Sequence, residues 1–66
     1  MTMQEIQKRL KEIKNIKDDN ELAHVKEDAL YIVVLEAIAS GTCTNPEGCA
    51  ELALKAREIK FTRWFA

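Results

Sequence analysis

The feature that most constrains this chain is a broad apolar block with no second segment to pair with. Between positions 22 and 38 stand Leu22, Val25, Ala29, Leu30, Ile32, Val33, Val34, Leu35, Ala37 and Ile38, with Tyr31 among them. From Ala29 to Leu35 the run is unbroken for seven residues, and Glu36 ends it. Ile32, Val33 and Val34 are β-branched and favour a strand. A strand needs a neighbour, however, and nothing else in the chain reads as one. Length also favours a helix, reaching to about Ser40. A helix apolar on most sides is normally the central one, so this segment is expected to be covered by neighbours on two faces. Leu30 and Val33 are expected in its core. Seven apolar residues fall far short of the roughly 20 that a membrane-spanning helix requires.

Two flanking segments supply the neighbours. Thr2 with Glu5 three residues later has the form of a capping box. Met3, Ile6, Leu10, Ile13 and Ile16 then recur in steps of three and four, the stripe of an amphipathic helix over about residues 3–17. Asp18, with Glu21 three later, is read as the cap of the second helix. Gly41 is a natural stop. Asn45-Pro46-Glu47 opens a third helix, with a capping Asn and a proline at its first position. That helix carries Cys49, Leu52, Ala53, Ala56 and Ile59. Phe61, Trp64 and Phe65 crowd into the last six positions and are expected to close the core as a lid. Short connections make successive helices antiparallel. The expected fold is all-α, a three-helix antiparallel bundle with an aromatic C-terminal lid, forming one domain over residues 1–66.

Charge is uneven although the net value is −1. Residues 1–17 sum to +3, residues 18–51 to −7 and residues 52–66 to +3. Basic ends around an acidic middle suit mutual neutralisation inside one bundle, and nucleic acid is not an expected partner. With 47% hydrophobic residues, two glycines and one proline, the composition is that of a folded chain. The charged first 17 residues lack the apolar core of a secretory signal, so a cytoplasmic setting is expected. In that setting Cys43 and Cys49 are expected to stay reduced and to serve packing. Two cysteines alone do not make a zinc site, and His24 stands 19 positions before Cys43, too far along a helix to join them.

The candidate site lies at the start of the second helix. His24, Glu27, Asp28 and Tyr31 follow i, i+3, i+4, i+7 spacing and are expected to share a face. A His with two carboxylates can bind a divalent metal or a small ligand, or move protons. The plain alternative is a polar cluster in which the acids meet Arg63 or Lys60. The antiparallel turn should return Arg63 to Glu27 or Asp28, with Trp64 beside His24 or Tyr31. Arg and Trp are also the residues most enriched in binding hot spots.

Asn20-Glu21-Leu22-Ala23-His24, Glu27 to Tyr31, Leu35 to Ala39 and the ending Ile59 to Ala66 together resemble a group of small uncharacterised bacterial proteins. These have a similar Ala-His, Glu-Asp helix and a similar Arg-Trp-aromatic-Ala end. The resemblance covers about residues 18–66. It implies a bacterial or phage setting and no chemistry.

No nucleophile–base pair and no Gly-rich phosphate loop is present in the sequence. The reading is therefore a non-enzymatic interaction or regulatory module. It would act through a protein partner or as a homo-oligomer, with no cofactor. Its expected binding surface comprises His24, Glu27, Asp28, Tyr31, Arg63 and Trp64. The alternative is a small-ligand or divalent-metal site at the His24, Glu27 and Asp28 face.

Overall fold

The structure, a computed structural model, describes residues 1–62. Three α-helices follow one another: α1 over Met3–Asn15, α2 over Asn20–Ala39 and α3 over Pro46–Leu54. A turn of 3-10 helix over Lys55–Glu58 continues α3. Each α-helix packs on the other two. No strand occurs among the described residues, so the β-branched run stays helical. The fold is a small all-α three-helix bundle. Trp64 and Phe65, expected in an aromatic lid, lie outside the described residues, whereas Phe61 packs against the core.

Caps set the helix limits. The Thr2 hydroxyl accepts from the Glu5 amide at 3.3 Å and starts α1. α1 ends at Asn15, two residues earlier than its spacing suggests, because the Ile16 amide turns back to the Ile13 carbonyl at 3.2 Å. At α2 the cap is Asp19 rather than Asp18: its Oδ1 accepts from the Leu22 amide at 3.1 Å. This one-residue shift puts Leu22 at the third helical position, where a reciprocating box would need Glu. α2 ends where Gly41 takes φ +75°. The Gly41 amide bonds to the Ile38 carbonyl at 3.2 Å and the Thr42 amide to that of Ala37 at 2.9 Å. These are the two bonds of a Schellman stop. For α3, Asn45 Oδ1 accepts from the Gly48 amide at 3.0 Å. A Cβ on Gly48 would lie 2.6 Å from Asn45 Nδ2, so a larger residue there would require the Asn45 side chain to shift.

The core is narrow. Ile6, Leu10 and Ile13 from α1 meet Ala23, Leu30 and Val34 from α2, with Cys49, Ala53, Ala56 and Ile59 closing the third side. Small residues at four of these positions let backbones approach closely. Two long-range ties orient the bundle. The N-terminal amine donates to the Thr42 carbonyl at 2.8 Å, joining the start of α1 to the end of α2. The Thr62 amide donates to Asn20 Oδ1 at 3.1 Å, returning the chain to the start of α2. Successive helices are thus antiparallel.

α2 packs against both neighbours, but they leave one side of it bare. Ala23, Glu27, Leu30, Val34 and Ala37 are buried, whereas Leu22, Val25, Ile32 and Leu35 stay exposed. Val33, expected in the core, is only half-buried, and its neighbour Val34 takes that place. α1 and the nine-residue α3 both lie against the buried side of α2, and no further helix among the described residues covers the other.

Candidate functional site

The polar cluster of α2 divides into two. Glu27 is the one buried charged residue among those described, 4% exposed. Its Oε2 accepts from the Tyr31 hydroxyl at 2.9 Å, one turn on. Asp28 sits about 100° further around the helix. Its side chain is 61% exposed, and its Oδ2 lies 3.4 Å from His24 Nε2. The two carboxylates therefore diverge, one into the bundle and one into solvent. On this stretch of helix His24 meets Asp28 and Glu27 meets Tyr31, with Glu27 at the buried edge and Asp28 at the exposed edge. Among the described residues no three His, Cys, Asp or Glu side chains come together as metal ligands. Arg63 and Trp64, and with them their expected contacts to this cluster, lie outside the described residues.

Cys43 and Cys49 are free thiols. Cys49 is fully enclosed, and Cys43 is half-buried against the same core. The Cys49 thiol is pushed up from its ordinary value, first by its hydrogen bond with Cys43, then by desolvation and by repulsion from a Cys43 thiolate. It is thus held in the neutral, unreactive form.

The sequence reading gave no functional weight to the outer face of α2. Leu35 is 65% exposed, Val25 62%, Ile32 55% and Leu22 40%. Leu22, Val25, Ala29 and Ile32 follow one another in steps of three, four and three, and Glu36 and Ala39 continue the alternation. This spacing is a heptad seam, with residues 22, 29 and 36 at a and residues 25, 32 and 39 at d. Beside it, a shallow apolar groove of about 230 Å³ runs between α2 and α3. Tyr31, Leu35 and Ile38 line one wall, and Ala50, Ala53 and Leu54 the other. Leu54, on the α3 side of this groove, and Leu35, on the α2 side, are both exposed. The signal was present in the sequence as a surplus: α2 carries more large apolar residues than one core-facing stripe can use.

The chain matches no family model, no curated protein and no solved structure. No helix among the described residues is long and apolar enough to cross a membrane.

Proposed function

We propose that this chain is a non-enzymatic interaction module that works through a protein docked on the outer face of α2. The observation that carries this reading is the exposure of Leu22, Val25, Ile32 and Leu35 on one helix. Scattered exposed apolar residues are ordinary, but four large ones on the outer side of one helix of so small a protein suit an interaction surface. Heptad spacing makes that surface suited to another helix. The alternative, a small-ligand or divalent-metal site at the His24, Glu27 and Asp28 face, draws less support, since Glu27 is buried against Tyr31 while Asp28 is exposed beside His24. The resemblance over residues 18–66 adds a bacterial or phage setting to this proposal, and the free thiols suit a cytoplasmic one.

Photo-crosslinking tests the reading. A benzophenone amino acid replacing Ile32 should give an adduct with one discrete protein species in cells. The same group replacing Lys11, exposed on α1, should give none. Absence of an adduct at position 32, or equal adducts at both positions, would overturn it.

A further inference from the structure

The outer face of α2 is built to fit itself. We infer that two copies of this chain associate through α2 packed antiparallel on α2. This inference rests on the interaction reading above and names its partner. In an antiparallel pair each a residue faces a d residue of the other helix. Aligning the helices over nearly their full length, with the two-fold axis between positions 30 and 31, sets the layers. Leu22 faces Ala39 of the second copy, Val25 faces Glu36, and Ala29 faces Ile32. By symmetry the same contacts occur again in the other direction. Two of the three kinds of layer thus set a large side chain against an alanine, so the surface supplies both its own knobs and its own holes. A parallel pair would instead set Leu22, Ile32 and Ala29 each against its own copy, alternating crowding with voids.

Charge selects the same arrangement. Glu36 occupies an a position, where a polar residue fixes register at a cost in stability. In the antiparallel pair it lies beside Val25 of the second copy, next to that copy's Lys26. Each dimer then has two Glu36–Lys26 pairs. Asp28 falls beside Leu35 of the second copy, and no like charges meet across the seam. In a parallel pair the two Glu36 carboxylates would face one another. The apolar patch is covered twice in a symmetric dimer, and a single helix pair makes a small interface of the weak, transient class. Association should therefore be reversible and dependent on concentration.

Sedimentation equilibrium over micromolar to millimolar concentration should show a shift from the 7.5 kDa chain to twice that mass. Val25→Lys together with Ile32→Lys should hold the chain monomeric while leaving its helical circular dichroism and melt intact, since both side chains are exposed. Lys26→Glu alone should weaken the dimer about tenfold by turning two attractions into repulsions, and adding Glu36→Lys should restore it. A chain monomeric to millimolar concentration, or a dimer indifferent to Val25→Lys and Ile32→Lys, overturns the inference. A charge swap that fails to restore the dimer overturns the antiparallel arrangement. A position-32 adduct with a different protein, from a chain that sediments as a monomer, would uphold the interaction reading and refute the self-pairing.

Discussion

Both faces of α2 carry apolar residues, and their environments are opposite. Inward stand Ala23, Leu30, Val34 and Ala37; outward stand Leu22, Val25, Ile32 and Leu35. The outward set is, if anything, the larger in side-chain volume. Hydropathy along a helix therefore reports how much surface wants cover, not what covers it. For α1 the two coincide: its stripe of Ile6, Leu10 and Ile13 is buried and its other positions are mostly charged. For α2 they part, because the described residues offer only two other α-helices.

The sharpest way to break this contrast is one substitution on each side. Leu30→Ala should cost about 2–5 kcal/mol, since a fully enclosed side chain leaves a cavity. Leu35→Ala, measured by urea denaturation at a concentration that keeps the chain monomeric, should cost under about 0.5 kcal/mol. Equal losses would mean that the faces do not differ as described. Of smaller effect is Tyr31→Phe, which removes a donor from buried Glu27. A loss of about 1 kcal/mol is expected, and a melt unchanged from the parent would show that the bond contributes nothing. Smaller again is Asp28→Asn on the solvent side. Its exposed contact with His24 is a one-turn helix pair, so a change of no more than about 0.5 kcal/mol is expected, and it should shrink further in high salt.

The pH dependence of Cys49 is confined to the alkaline range. Its thiol pKa is raised in the folded state, so the folded chain holds that proton more tightly than the unfolded one. The stability this gives is complete below the ordinary thiol range and is lost as pH rises through the raised value. Melts across the alkaline range should show a decline that Cys49→Ala flattens. A decline identical in the variant would assign it to other groups.

Much of the fold was legible in the sequence because local signals agreed with one another. Thr2, Gly41 and Asn45-Pro46 each mark an end that backbone chemistry alone fixes, and the α1 stripe needed only its spacing to be read. What was not legible depends on the third dimension. Asp18 and Asp19 are equally able to cap, and only the path of the chain after α1 selects Asp19. The spacing of His24, Glu27 and Asp28 suggests convergence, yet residues at i+3 and i+4 straddle position i, and the bundle happens to bury one flank and expose the other. Val33 and Val34 were separable only by knowing which side α1 and α3 occupy.

The first turn of α3 has a consequence for how this chain can change. Gly48 lies in a helix, where alanine would ordinarily add about 1 kcal/mol of stability. Here its Cβ would collide with the side chain of Asn45 and evict the cap, which is itself worth about 1 kcal/mol. The two positions are therefore coupled in sign. Gly48→Ala brings no gain while Asn45 is present, and becomes favourable once Asn45 has been replaced by alanine. A route that replaces Asn45 first passes through a less stable intermediate, whereas one that replaces Gly48 first is close to neutral, so the order of change matters at this turn.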